Sequence, residues 1–252
     1  VKVNDLKGIQ QLGLQPRRVA SLLVEAFNAM TFSFGFVHAD PHPGNLLVRK
    51  STSGSAELVL LDHGLYRCLS DELRLLYCYL WQAMFLRDMS LLETVGKRLG
   101  AGELFLLIPL IFTQSLISGK STMGKNFKDM TSEEKQHIRK TLRRFKRTEF
   151  SDFYSSLPRD LLFVIRANDY VRGISLQLSL PPMDRFYSMA NAAVAEANCH
   201  YRSSDGRGPI ELYETSVGRN SSVRAWIKVN LHIMWMKVQL ELVRIYSFFS
   251  RP

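Results

Sequence analysis

The sequence predicts a mostly α-helical chain that carries one small β-hairpin. Apolar residues recur at helical spacing over long stretches, as in Val19, Leu22, Leu23, Ala26, Phe27 and Met30. Two short apolar runs, Leu46-Leu47-Val48 and Leu58-Val59-Leu60-Leu61, flank a small, polar Gly/Ser stretch from Ser51 to Ala56, which is the pattern of a hairpin. A hydrophobic content of 46% in 252 residues is ordinary for a chain that buries one core.

Taken in order, the first helix starts at Pro16, whose fixed φ suits a first helical position, and runs towards Gly35. After the hairpin, Ser70-Asp71-Glu72 caps a further helix, with acids near its positive end. Leu73, Leu76, Leu80, Ala83 and Met84 give that helix an apolar face. The stretch from Leu99 to Ser118 is apolar, but Pro109 interrupts it and it is too short for a membrane span. A packed core helix or a pair of helical turns is expected there.

Gly119 to Asp129 reads as a loop, and Thr131-Ser132-Glu133-Glu134 as a capping box. The helix expected next carries Arg139, Lys140, Arg143, Arg144, Lys146 and Arg147, a face for anionic lipid or an acidic partner, or simply a solvated surface. Pro158 opens another helix, in which Arg166, Asn168 and Arg172 are expected to anchor the fold through salt bridges. Pro181-Pro182 breaks the chain before a helix over Arg185 to Asn198. Residues 1–200 are thus expected to form one unit, 201–222 a flexible linker rich in Ser, Gly and Arg, and 223–252 a C-terminal amphipathic helix. That last helix either docks on the core or lies in a membrane interface.

A net charge of +10 suits anionic surroundings, whether nucleotide, nucleic acid or anionic lipid, and also plain solubility. Aromatics interrupt the basic run at Phe145 and Phe150 without any stacking platform or base-reading motif, so no nucleic-acid partner is expected. The three cysteines, Cys68, Cys78 and Cys199, form no close pair and no metal spacing, which predicts reduced thiols.

The densest chemistry lies in His38-Ala39-Asp40-Pro41-His42-Pro43-Gly44-Asn45, followed by Leu61-Asp62-His63-Gly64. The spacing Asp-x4-Asn lets one loop carry two tools. Asp40 can accept or orient the proton of an attacking hydroxyl, and the amide oxygen of Asn45 can hold a metal ion. The hairpin then returns Asp62 beside Asn45. Amide and carboxylate oxygens are hard ligands that suit Mg²⁺. Pro41 and Pro43 stiffen the loop, Gly44 is expected to give Asn45 the freedom to aim inward, and Gly64 to permit a sharp turn without a Cβ clash. His38, Asp40, His42 and His63 also suggest a zinc cluster, but the two prolines break strand pairing and no further ligands follow.

The run Gly35 to Arg49, with Leu60-Leu61-Asp62-His63-Gly64-Leu65-Tyr66, resembles the UbiB or aarF-domain-containing atypical kinase family. Asp-His-Gly, Arg49-Lys50 and Arg98-Leu99-Gly100-Ala101-Gly102 look most like its mitochondrial branch. The resemblance runs from about Val3 to the mid-190s. It implies the C-terminal lobe of a protein-kinase-like fold, with ATP and Mg²⁺ as cofactors. Asp40 would be the catalytic-loop Asp, and His38 would brace that loop by bonding to its backbone. Asn45 and Asp62 would bind the metal and, through it, the nucleotide.

The resemblance further implies a role in ubiquinone or mitochondrial lipid homeostasis, near an anionic membrane surface. It leaves homo- or hetero-oligomerisation open. No glycine-rich nucleotide loop, phosphate-pairing Lys or Lys-x-Gly-Gln helix precedes Asp40. The chain is therefore expected to be part of a longer protein, or a short form that has lost ATP use, and to turn over ATP weakly or not at all by itself. Two other readings share the motif: a small-molecule phosphotransferase of the aminoglycoside or choline kinase type, and a non-catalytic scaffold.

Overall fold

The computed structural model describes residues 1–113, 131–133, 135, 136, 140, 147–203 and 238. The loop expected at 119–129 lies outside the described residues, as does most of the basic helix after it. So do residues 204–222 of the expected linker and, apart from Val238, the expected C-terminal helix at 223–252.

The architecture is helical with two small antiparallel sheets. Helix α1 spans Leu6–Gln11 and α2 spans Pro16–Asn28. A π-helical turn, Ala29–Ser33, extends α2. Four strands follow: β1 Phe36–His38, β2 Leu46–Lys50, β3 Ala56–Leu60 and β4 Tyr66–Cys68. Helices α3 (Asp71–Leu86) and α4 (Met89–Arg98) come next, then a 3-10 turn at Gly102–Leu106 and α5 (Leu107–Thr113). Helices α6 (Arg147–Ser156), α7 (Arg159–Gln177) and α8 (Pro182–Ser203) complete the described elements. The mostly helical fold class holds.

The hairpin forms where expected, with β2 and β3 paired from Leu46↔Leu60 to Lys50↔Ala56. Its turn closes through the Ser51 amide, which donates to the Ser55 carbonyl at 2.8 Å. Residues 1–3 add to its free edge: the Val3 amide donates to Leu46 O at 3.0 Å, and the Val48 amide to Val1 O at 2.8 Å. The second sheet was not expected. It pairs β1 with β4 in the register Phe36↔Cys68 to His38↔Tyr66. Strands of three residues separated by a whole hairpin leave no periodic trace in sequence, and their pairing is a tertiary decision.

Helix α3 departs from the amphipathic expectation. Tyr77 through Met84 are buried one after another. A helix apolar all round is a central helix, and this one is enclosed by α4, α8 and the π-helical turn. Ser70 caps it as predicted, its hydroxyl accepting from the Leu73 amide at 3.2 Å. Pro109 sits in the first turn of α5, where its missing N–H has no helical partner to lose. The described part of the apolar stretch, up to Thr113, is the 3-10 turn followed by α5. Helix α8 runs on to Ser203, past the expected linker start at residue 201, because no Gly or Pro intervenes before Gly206.

One large cluster gathers Trp81, Phe112, Phe153 and Phe186 around α3, and a second gathers Val19, Leu23, Leu46, Val48 and Leu178 between α2 and the hairpin. Helix α7 serves both. Leu161, Val164 and Ile165 enter the first cluster, and Val171 and Ile174 the second. The loop 38–45 lies beside this shared helix. Among the described residues, no helix is long and apolar enough to cross a membrane.

Candidate active site

The site is assembled by backbone. His38 ends β1 and is 1% exposed. Its Nδ1 accepts from the Asp40 amide at 3.2 Å, which makes Nε2 the protonated nitrogen, and Nε2 donates to the Asp62 carbonyl at 2.8 Å. One buried ring thus ties the start of the loop to the residue after the hairpin. Ala39 reinforces the tie by donating its amide to Leu65 O at 3.0 Å.

The far end of the loop is fixed in the same way. The Asn45 amide donates to His42 O at 2.8 Å, and Asn45 O accepts from the Leu61 amide at 2.9 Å. Asn45 Nδ2 donates to the Asp40 carbonyl at 3.2 Å, which leaves Oδ1 as the other end of the amide. Asp40, Asn45 and Asp62 are therefore gathered into one region by bonds that run through His38 and Leu61.

Asp62 is exposed, and its Oδ1 accepts from the Gly64 amide at 2.8 Å. Neither Gly64 nor Gly44 adopts positive φ, and the expectation that Gly64 avoids a Cβ clash agrees with its surroundings. Crowding explains both glycines. A Cβ at Gly64 would stand 3.0 Å from Asp62 Oδ1, and one at Gly44 3.0 Å from His42 Nδ1. Those two side-chain atoms accept the glycine amides themselves. The left-handed glycine near the site is Gly35, at φ +60, whose carbonyl accepts from the Leu69 amide at 2.7 Å.

The other histidines are occupied locally. His42 Nδ1 accepts from the Gly44 amide at 3.0 Å. The His63 Nδ1 is 2.7 Å from the Tyr66 hydroxyl, and its ring stacks on Tyr66. Tyr66 itself stacks on Phe36 with centroids 4.4 Å apart. Partial burial, and then the nearby Asp62 carboxylate, push its phenol above the ordinary range. Arg49 pairs with Glu57 on the exposed face of the hairpin at 2.7 Å. Both nitrogens of His38 are engaged with protein, so it has no lone pair to offer a zinc ion.

Sequence reasoning assigned Arg166 to structural anchoring and missed where its anchor lies. Its Nη2 donates to Asp40 Oδ1 at 2.9 Å across 126 residues of sequence. Helical spacing shows only that Phe163, Arg166 and Tyr170, at i, i+3 and i+7, share one face beside the buried stripe of α7, not which partner that face meets. Arg172 pairs with Asp169 within its own helix, and Asn168 accepts from the buried Arg185 at 3.1 Å.

Comparison with known proteins places this geometry. Residues 1–95 match the ABC1 atypical kinase-like domain. AarF domain-containing protein kinase 1 of Xenopus tropicalis is 38% identical over 246 residues, covering 90% of this chain and 46% of the relative. The chain belongs to the aarF-domain (ABC1) atypical kinase-like family. AarF domain-containing protein kinase 1 of Mus musculus is 32% identical over 241 residues, covering 94% of this chain and 45% of that protein. In Drosophila melanogaster, AarF domain-containing kinase 1 is 31% identical over 203 residues, covering 80% of this chain and 39% of that protein. The chain spans about half the length of the Xenopus and mouse relatives it matches. No solved structure matches it. The family's matched segment contains the whole loop from His38 to Asn45 and also Asp62, whereas Arg166 lies beyond it.

Proposed function

We propose that this chain carries the catalytic loop and metal-binding strand end of an atypical kinase or ATPase that works on Mg-ATP. The observation behind the reading is the pair of hydrogen bonds that joins His38 to the Asp40 amide and the Asp62 carbonyl, and so ties together the backbone that carries the two carboxylates. The donor set fits a hard divalent cation, since Asn45 and Asp62 offer an amide and a carboxylate oxygen and no soft ligand. When bound, the metal neutralises charge on the phosphate oxygens. Asp40 accepts the proton of the attacking hydroxyl or water, or orients that group, and catalysis is mainly positioning and charge neutralisation. His38 keeps the loop in register for both tasks.

Family membership supports a role in ubiquinone or mitochondrial lipid homeostasis, and the net charge of +10 supports work near an anionic membrane surface. The test is Mg²⁺-dependent phosphate release from ATP by the native protein. Asp62→Ala is expected to lose Mg²⁺-dependent nucleotide binding. Asp40→Ala is expected to keep binding and lose turnover. Equal turnover by wild type and Asp40→Ala would refute the reading and leave a scaffold role.

A further inference from the structure

We propose that Arg166 is a positioning residue for Asp40, holding one carboxylate oxygen so that the other faces the hydroxyl to be deprotonated. This rests on the reading of Asp40 given above. The hydrogen bond runs from Nη2 to Oδ1, which leaves Oδ2 for the reacting group. A carboxylate on a loop can rotate about χ2, and one fixed charge-assisted partner removes that freedom. The arrangement resembles in logic the orienting group behind a catalytic base.

Arg166 is itself held. Its guanidinium lies over the Tyr170 ring, 5.8 Å from the centroid. Tyr170 in turn meets His42 of the same loop edge-on, with centroids 5.9 Å apart. One turn earlier, Phe163 receives the Arg67 guanidinium of β4 at 4.6 Å. Phe163, Arg166 and Tyr170 therefore present a single face of α7 to β4 and to Asp40 and His42 of the catalytic loop. The opposite side of α7 is locked into the core through Leu161, Val164, Ala167 and Val171. A positioning side chain mounted on a packed helix is more exact than one mounted on a loop.

Magnitudes separate this from a merely structural ion pair. The side chains are 49% and 36% exposed, and pairs so exposed add little to stability. The effect of losing Arg166 should therefore appear in the rate and not in the melting temperature.

The experiment compares Arg166→Ala, Arg166→Lys, Asp40→Ala and the Arg166→Ala/Asp40→Ala double variant of the native protein. Mg-ATP hydrolysis gives kcat and KM, and Mg-ADP titration gives nucleotide affinity. Arg166→Ala is expected to lower kcat by roughly 10²-fold, the scale of a misplaced catalytic group, with KM and Mg-ADP affinity unchanged. Arg166→Lys should recover part of the rate, and the double variant should be no slower than Asp40→Ala. An unchanged or raised kcat in Arg166→Ala, a loss carried by KM alone, or an additive double variant would overturn the assignment while leaving Asp40's role intact. An Asp40→Ala variant as active as wild type would instead overturn the underlying reading, and this one with it.

Discussion

The ring of His38 and the carbonyl of Asp62 meet at 2.8 Å inside the protein, with His38 all but sealed from solvent. The same ring accepts the Asp40 amide. A histidine with both nitrogens committed to backbone is a structural strut, and this one joins the two stretches that carry the carboxylates.

Replacing His38 with Ala removes a donor and an acceptor and leaves the Asp62 carbonyl and Asp40 amide without their partner. With Asp62 exposed and Asp40 half-buried, water can replace part of what is lost, and about 1–3 kcal/mol is expected for the two hydrogen bonds together. The His38→Ala protein should unfold at clearly lower denaturant, with faster hydrogen exchange at Asp40. A change within error of wild type would show that the strut carries no stability.

Gly100 adopts φ +84, and a Cβ there would stand 2.4 Å from the Ser156 carbonyl oxygen. Left-handed strain alone costs a non-glycine residue about 1–2 kcal/mol, and the clash with backbone adds to it. Gly100→Ala should therefore destabilise the protein by more than about 2 kcal/mol. Gly173, in the middle of α7 with nothing close to its Cβ position, is the control. Gly173→Ala should stabilise by up to about 1 kcal/mol. Thermal denaturation of the two variants checks the contrast.

Arg74 and Glu196 form a short, largely buried ion pair between α3 and α8. Arg74 also donates to Phe32 O at 2.9 Å, pinning the π-helical turn that leads into β1. Removing Glu196 leaves Arg74 with the exposed Asp71 carboxylate at 3.2 Å and the Phe32 carbonyl. With both side chains 11–15% exposed, Glu196→Ala should cost about 3 kcal/mol. Leucine at both positions should recover much of that, because burying apolar groups carries no desolvation penalty. Chemical denaturation of the single and double variants measures both quantities.

Cys68 is exposed and Cys78 is buried in α3. Burial, followed by the Glu196 carboxylate, pushes the Cys78 thiol up to about 12. The thiolate is the reactive form, so iodoacetamide at neutral pH should label the Cys68 peptide and spare the Cys78 peptide until denaturant is added. The unfolded thiol, with its ordinary pKa of about 8.5, loses its proton first. The stability this group contributes is therefore complete below that value and falls as pH rises towards 12. Cys78→Ala should flatten that alkaline slope. Equal labelling of the two native peptides would contradict the burial.

Much of the candidate site was legible because it is local. Loop and hairpin lie within one short stretch, and the turn chemistry of Pro41, Pro43, Gly44 and Ser51–Ser55 acts over a few residues. The signals for α2, α3 and α7 were local too: Pro16 at a first position, Ser70 as a cap and Pro158 before a start. The role of Gly64, space for a tight turn, was legible in the same way, whereas the crowding at Gly44 was not. Whether a glycine is kept for φ or for space depends on what stands beside it, here the Asp62 and His42 side chains.

By itself the sequence determined the mostly helical class, the hairpin, and the order of Asp40, Asn45 and Asp62 along it, because apolar period and turn residues express themselves over neighbouring positions. Tertiary structure alone decided the β1–β4 pairing, the full enclosure of α3, the Arg74–Glu196 pair, and the contact of Arg166 with Asp40. Each joins residues far apart in the chain, and the last two span 122 and 126 positions. Such contacts form only when packing of the core brings distant elements together, and no local pattern records which partner a charge will meet.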